Sequence, residues 1–103
     1  METNQVRYFV VLCEEQSFIR TAKRCGVSQP SVSNAIKRLE NELGGCLFHR
    51  TRNGTMLSSL GAALQPMLHQ IDRGAESAKR RAENFRTVGD NRSRPAISGV
   101  RYR

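Results

Sequence analysis

The sequence has no tryptophan, only four phenylalanines and two tyrosines, and no apolar run near the roughly 18 residues of a transmembrane helix. Because surface aromatic pairs for base stacking are missing, nonspecific binding of RNA is not expected. The N-terminus opens without a basic region before a long apolar stretch. We therefore expect a cytoplasmic protein with no secretory signal and no membrane partner.

Cysteine and histidine are scarce, and their spacing excludes several kinds of site. Cys13, Cys25 and Cys46 are widely separated, and no two have the spacing of a metal knuckle or a redox motif. We interpret Cys13 and Cys25 as small core residues. His49 and His69 are isolated, so neither is expected to bind a metal. No nucleophile–base set, carboxylate pair or glycine-rich phosphate loop is visible, which predicts neither an enzyme nor a cofactor.

Acidic residues are few, because nine Asp and Glu stand against seventeen Lys and Arg, for a net charge of +8. A strongly basic small domain attracts a polyanion, usually nucleic acid and sometimes an anionic membrane. Residues 1–58 carry a net charge of +3 and residues 59–103 carry +5. Charge alone therefore does not locate the binding face.

Two helices are predicted before residue 27. Apolar residues spaced three and four apart predict a first helix over residues 4–15, with Thr3 or Asn4 as its N-cap. Ser17 is the expected N-cap of a second helix. Gly26 is expected to end it, because glycine adopts the left-handed conformation at little cost.

A third helix is predicted over residues 29–43, capped by Ser28 and stopped by Gly44. Pro30 lies in its first turn, where a missing N–H costs nothing. One face is apolar and the opposite face is polar, and a short turn joins this helix to the second. This layout is typical of a helix-turn-helix whose recognition helix enters the major groove of double-stranded DNA.

A β-hairpin is predicted over residues 46–57, because Asn53-Gly54 lies between apolar pairs. Arg50 and Arg52 would then lie on a wing beside the recognition helix, where arginine can hold phosphates or probe the minor groove. The candidate DNA-binding residues are Ser28, Gln29, Pro30, Ser31, Ser33, Asn34, Lys37, Arg38, Arg50 and Arg52.

A long helix is predicted over residues 59–88, with Ser58 as its N-cap. Its apolar stripe is longer than this small domain can cover, which predicts pairing with the same helix of a second chain, although packing on the chain's own helices is the alternative. The candidate dimerisation residues are Leu60, Leu64, Met67, Leu68, Ile71, Ala75, Ala78, Ala82 and Phe85.

The predicted fold is mainly α: three helices and a small β-hairpin wing, followed by a long dimerisation helix. We divide the chain into a winged helix-turn-helix domain over residues 1–58, the linker helix over 59–88, and a flexible basic tail over 89–103.

Residues 6–61 resemble the N-terminal DNA-binding domain of LysR-type transcription regulators. The matching segments are Val6-Arg7-Tyr8-Phe9, Ser17-Phe18 with Ala22, Val27-Ser28-Gln29-Pro30-Ser31-Val32-Ser33, Ile36, Leu39-Glu40, Leu43-Gly44, Leu47-Phe48-His49-Arg50, and Leu57-Ser58 with Gly61.

The resemblance implies a bacterial, sequence-specific regulator that binds a dyad-symmetric promoter site as a homodimer. Such regulators usually carry a C-terminal effector domain, so we expect this chain to be a fragment or a natural truncation, with a small-molecule inducer only if that domain exists. Asn34 and Asn53 stand where arginine is common, which bears on the preferred DNA sequence. Thr21 stands where alanine is frequent. The alternative function is a truncated interaction protein that forms mixed dimers with a full-length relative.

Overall fold

The computed structural model describes the backbone of residues 1–93 and the side chains of residues 1–87. Four helices and one antiparallel hairpin follow one another along the chain. Their bounds are α1 Thr3–Glu15, α2 Phe18–Cys25, α3 Gln29–Leu43, β1 Phe48–Thr51, β2 Gly54–Leu57 and α4 Ser59–Ser93.

The ends of α1, α2 and α3 follow the local capping signals, except at the start of α1. Ser17 Oγ accepts a hydrogen bond from the Arg20 N–H at 3.1 Å, and α2 and α3 end at Gly26 and Gly44, as predicted. The N-cap of α1 is Glu2, not Thr3 or Asn4. Gln5 decides this start, because its side-chain oxygen accepts a hydrogen bond from the Glu2 N–H at 3.2 Å.

The core lies where α1, α2 and α3 pack against one another, and it is closed by β1 and the first part of α4. Each of the three helices contributes apolar side chains to it at helical spacing, although Leu12 is buried outside the predicted stripe of α1. The buried members are Val6, Phe9, Val10, Leu12, Phe18, Ala22, Val32, Ile36, Leu39, Leu47 and Leu68.

Helix α4 begins at Ser59, as predicted, and Ser58 caps it by accepting the Gly61 N–H at 3.0 Å. It continues to Ser93, not to the predicted end at residue 88. Gly89 does not end it, because a glycine inside a helix costs only about 1 kcal/mol relative to alanine. The predicted tail over 89–103 therefore begins inside the helix, and residues 94–103 lie outside the described residues.

The compact unit around the core extends from Met1 to Arg73, so its boundary lies within α4 and not at the predicted residue 58. The first turns of α4 belong to this unit because their leucines pack against its core. A second unit begins at Gly74 and is helical as far as residue 93. Within residues 1–93, no helix has both the length and the apolar content that a membrane span needs.

Candidate nucleic-acid interface

Helix α3 has one buried face and one exposed polar face, as the recognition-helix prediction requires. The residues of its buried face are Val32, Ala35, Ile36 and Leu39. Its start is rigid, because Ser28 Oγ accepts the Ser31 N–H at 3.2 Å and lies 2.9 Å from the Ser31 hydroxyl. Ser33 is partly buried; the exposed candidates on and just before α3 are Ser28, Gln29, Pro30, Ser31, Asn34, Lys37 and Arg38.

The β-hairpin forms the predicted wing, and its tip is fixed to the turn between α1 and α2. The Thr55 N–H donates to the Gln16 carbonyl at 3.1 Å. Gly54, with φ +137°, lies so close that a Cβ there would be 2.6 Å from the same carbonyl oxygen. Glycine is therefore required at this position both for its backbone conformation and for space.

The base of the wing is anchored by aromatic packing. The Phe48 ring on β1 lies 5.3 Å from the Phe9 ring of α1, in a tilted arrangement. Such pairs stabilise a fold beyond the area that they bury. The wing is thus held at both ends, which places the exposed Arg50 and Arg52 at defined positions.

Two grooves bring the wing together with the start of α2 and with α3. The larger groove, about 390 Å³, is lined by residues 16–20, Gln29 and residues 50–55. The smaller, about 210 Å³, is lined by Ser33, Lys37 and Arg50 among others. Arg50 borders both grooves and Arg52 only the larger. The structure therefore places Gln29, Ser33, Lys37, Arg50 and Arg52 on one surface, whereas Ser28, Pro30, Ser31, Asn34 and Arg38 line neither groove.

The basic candidate DNA-binding residues form no ion pair within the part of the chain that the structure describes, unlike the arginines of α2. Arg24 forms ion pairs with Glu14 and Glu15 at 2.6 and 3.1 Å, and Arg20 pairs with Glu15 at 3.4 Å. The hydrogen bond to Glu14 is the main cause that raises the pKa of Arg24. Among residues 1–87, by contrast, no carboxylate pairs with the four basic candidates, Lys37, Arg38, Arg50 and Arg52. Cations without an ion pair among residues 1–87 therefore lie on α3 and the wing, and also at Lys23 of α2 and at Arg73, Arg80, Arg81 and Arg86 of α4.

Two contributors to this surface are missed by the sequence interpretation. Phe18 is expected only in the core, yet its ring lies beneath the Arg50 guanidinium, 4.4 Å from Cζ to the ring centroid. Gln16 is expected only as a break between helices, yet its carbonyl holds the wing. Both contacts join residues about 30 or more positions apart, so no local pattern signals them.

A family model described as bacterial regulatory helix-turn-helix protein, LysR family, matches residues 3–62. The chain belongs to the LysR family. The match covers more than half of the chain and includes α1, α2, α3 and the wing, so the predicted resemblance is confirmed.

Two proteins similar to this chain are named as HTH-type transcriptional regulators. BudR of Klebsiella aerogenes, an HTH-type transcriptional regulator, is 48% identical over 63 residues, which cover 61% of this chain and 44% of BudR. TfdS of Cupriavidus pinatubonensis, another HTH-type transcriptional regulator, is 40% identical over 99 residues, or 96% of this chain and 30% of TfdS. The LysR-family chain thus spans less than half the length of either relative, and both names describe regulators and not enzymes.

Solved structures of similar proteins confirm the winged helix-turn-helix fold followed by a long helix. A crystal structure of the CbnR DNA-binding domain with DNA has a TM-score of 0.72 and 31% identity, and the match covers 82% of this chain and 97% of that one. The BenM DNA-binding domain with catB site 1 DNA has a TM-score of 0.73 and 28% identity, covering 82% and 94%. Both relatives were solved with DNA bound.

The apolar stripe of α4 divides into two parts that the sequence did not separate. Leu68 is 3% exposed in the core, and Leu60 and Leu64 are partly buried against it. These three were predicted to contact a second chain; in the structure Leu68 lies in the core of its own chain, and Leu60 and Leu64 pack against that core. The rest of the stripe comprises Ala75, which is partly buried, and Met67, Ile71, Ala78, Ala82 and Phe85, which are exposed.

The cysteines show no reactive environment. Burial, with a smaller effect of the Glu14 charge, raises the pKa of the Cys13 thiol from 9.0 to about 11, and burial also raises the pKa of Cys25. Both thiols are partly buried, and Cys46 is exposed. Within the described residues, no group of three or more His, Cys, Asp or Glu side chains could hold a metal ion.

Proposed function

We propose that this chain binds double-stranded DNA at a specific sequence, with the exposed face of α3 in the major groove and the wing on the neighbouring backbone. The observation that carries the proposal is that polar and basic side chains of α3 and the wing share one surface, which Gln29, Ser33, Lys37, Arg50 and Arg52 line. Within residues 1–87, no ion pair involves Lys37, Arg38, Arg50 or Arg52. Arg20 and Arg24 of α2, by contrast, form ion pairs with glutamates. The CbnR and BenM domains, which share this fold, were crystallised with DNA, which supports the same partner here.

The polar side chains of α3 suit the reading of base edges. The amides of Gln29 and Asn34 can pair bidentately with adenine, and the Ser33 hydroxyl can donate or accept. Pro30 offers an apolar surface to a thymine methyl group. Ser28, Ser31 and the N-terminus of α3 favour a phosphate oxygen.

The basic side chains anchor the protein without selecting a sequence. Lys37 and Arg38 are exposed on α3 and would neutralise phosphates. Arg50 and Arg52 extend this contact from the wing to the backbone or the minor groove.

Binding as a dimer follows from the exposed part of the α4 stripe. Met67 and Ile71 in the first unit, and Phe85 in the second, are large apolar side chains left in solvent. A second copy of α4 would cover them, and a two-fold pair of winged domains would recognise a dyad-symmetric site. The expected partners are therefore DNA and a second copy of this chain.

The test is a binding selection from genomic DNA with purified residues 1–103, with the mass measured by light scattering. We expect a dimer that enriches a dyad-symmetric motif. A monomer would contradict the proposed dimer, and a dimer that enriches no motif would favour the interaction-protein alternative.

Single substitutions separate reading from anchoring. Gln29→Ala or Asn34→Ala should weaken binding to the selected site by about 1–3 kcal/mol and relax its sequence preference. Arg50→Ala should weaken binding to all sequences. It should also lower the slope of log affinity against log salt concentration by about one. The matched controls are Asn41→Ala near the end of α3 and Arg24→Ala, whose charge is already paired. Equal effects of reading and anchoring variants on selected and random DNA would refute this division.

A further inference from the structure

The Arg50 side chain stacks on an aromatic ring and forms no ion pair with any carboxylate among residues 1–87. Its Cζ lies 4.4 Å from the centroid of the Phe18 ring, within the range of a cation–π contact. Phe18 is 9% exposed and belongs to the core, so the ring beneath Arg50 is fixed by its packing. Arg50 is exposed on β1.

The contact leaves the hydrogen-bonding edge of the guanidinium free. Among residues 1–87, no carboxylate or carbonyl accepts a hydrogen bond from Arg50, although Glu40 lines the same smaller groove. Glu40 is engaged elsewhere, because its Oε2 accepts the Leu47 N–H at 2.7 Å. A guanidinium that stacks through its face retains N–H donors in its plane, and these match a phosphate bidentately.

The wing offers an internal comparison. Arg52, two residues along the chain and equally exposed, has no aromatic ring beneath it among the described residues. Arg50 also borders both grooves, whereas Arg52 borders only one. The side chain of Arg50 is therefore more ordered than that of Arg52 before DNA binds.

We infer that Phe18 is a positioning residue for DNA binding: its ring face holds the Arg50 guanidinium in the orientation that meets a backbone phosphate. The inference rests on the proposed function. Ordering a long side chain before binding reduces the conformational entropy lost when the contact forms. Phe18 itself does not touch DNA in this scheme, and its effect passes through Arg50.

The experiment is a pair of double-mutant cycles on residues 1–103, measured as DNA affinity over a range of salt concentrations. Phe18→Leu keeps an apolar side chain and removes the ring, and Phe18→Tyr keeps the ring. Phe18→Leu should weaken binding to all sequences about two- to fivefold and flatten the salt dependence, and Phe18→Tyr should restore both. The effect should vanish in an Arg50→Ala background and persist unchanged in an Arg52→Ala background.

Val6→Ala is the structural control, because Val6 is 1% exposed in the core and takes no part in the described contacts that hold the wing. It should lower stability without changing the salt dependence of the folded protein. An effect of Phe18→Leu that adds to that of Arg50→Ala would overturn the inference, and so would an unchanged salt dependence.

A measurement on the unaltered protein covers the case in which Phe18→Leu fails to fold. Ring-current shifts move the side-chain protons of Arg50 upfield in the NMR spectrum if they lie over the Phe18 face. Unshifted protons would overturn the inference without any variant. If the unaltered chain binds no DNA, the proposed function fails; if it binds and Arg50→Ala has no effect, only the positioning role fails.

Discussion

The Arg7 guanidinium on α1 donates a hydrogen bond to the Asp72 carboxylate on α4, with 3.0 Å between Nη1 and Oδ2. The two side chains differ in burial: Asp72 is 9% exposed and Arg7 is 42% exposed. The pair joins the first element of the compact unit to its last, although 65 positions separate the two residues. It closes the core on the side where α4 packs.

Removing Arg7 should destabilise the fold more than neutralising Asp72. Arg7→Ala leaves a nearly buried carboxylate without its cation, whereas Asp72→Asn leaves a neutral amide. We expect a loss of about 2 kcal/mol for Arg7→Ala, below the roughly 3–5 of a fully buried pair because Arg7 is partly solvated. Asp72→Asn should cost about 1 kcal/mol. Urea unfolding measures both, and a larger loss for Asp72→Asn would contradict this order.

Gly61 should not tolerate a side chain, whereas Gly74 on the same helix should. A Cβ at Gly61 would overlap the Leu47 carbonyl oxygen and lie 2.8 Å from Leu57 Cδ2; at Gly74 it would meet no atom within 4 Å. Gly61→Ala should therefore cost about 1–3 kcal/mol through overpacking. Gly74→Ala should stabilise α4 by up to about 1 kcal/mol. Thermal unfolding of the two variants tests the contrast, which fails if both shift the melting temperature in the same direction.

The Thr21 hydroxyl is a buried polar group within the core. Thr21 is fully buried, and its Oγ1 has no hydrogen-bond partner among the described residues 1–87. Replacing the hydroxyl by a methyl group in Thr21→Val removes an unsatisfied polar atom, so stability should rise by about 1 kcal/mol. Thr21→Ser keeps the hydroxyl and loses a methyl group, so it should lower stability. A denaturant midpoint for Thr21→Val below that of the unaltered chain would show that the hydroxyl is satisfied in solution.

The three thiols should react in the order of their exposure. Cys46 should be alkylated first and Cys13 last, because the thiolate is the reactive form and the pKa of Cys13 is about 11. Mass spectrometry after timed labelling with iodoacetamide gives the order. Labelling of Cys13 before Cys46 in the folded protein would be inconsistent with its burial.

The raised pKa of Cys13 also predicts loss of stability at alkaline pH. The fold favours the neutral thiol, so this contribution is complete below about pH 9 and declines as the pH rises through about 11. The comparison is with Cys13→Ala, whose stability should fall less between about pH 8 and about pH 11. Parallel curves for the two proteins over that range would contradict the prediction.

The two parts of the α4 stripe should respond differently to substitution. Leu68→Ala should cost roughly 2–5 kcal/mol of folding free energy, because Leu68 is a core residue. Phe85→Glu should leave the fold intact and shift the proposed dimer to monomer, because Phe85 is 58% exposed. Light scattering and thermal unfolding together separate the two outcomes. Asn84→Glu adds the same charge on a neighbouring exposed position, and it should remain dimeric; equal behaviour of both glutamate variants would remove Phe85 from the interface.

Local patterns in the sequence predicted most of the fold. The helices α2 and α3 begin after Ser17 and Ser28 and end at Gly26 and Gly44, as the capping rules require. The hairpin around Asn53-Gly54 and the buried and exposed faces of α3 were also correct. These features depend on interactions within about four residues, which a sequence displays directly.

The errors arose where a local signal was ambiguous or weak. Thr3 and Asn4 are good N-caps by type, but the chain enters the helix one residue earlier, at Glu2. Gly89 has the residue type that starts a linker, yet α4 continues to Ser93. In both places, keeping the less favourable residue within the helix costs about 1 kcal/mol or less. The stability of the neighbouring helical turns outweighs this cost.

For the candidate interface, residue type and periodicity by themselves select the polar and basic side chains of α3 and the wing. Periodicity places an apolar residue on one face of a helix, but it does not show whether that face packs on its own chain or on a second chain. Leu68 and Phe85 therefore give the same signal in the sequence. The contacts of Arg50 with Phe18 and of Gly61 with Leu47 depend on which elements meet in space. Their formation requires distant segments to be brought together by the burial of a shared core, and that free energy belongs to the whole fold and to no short segment of it.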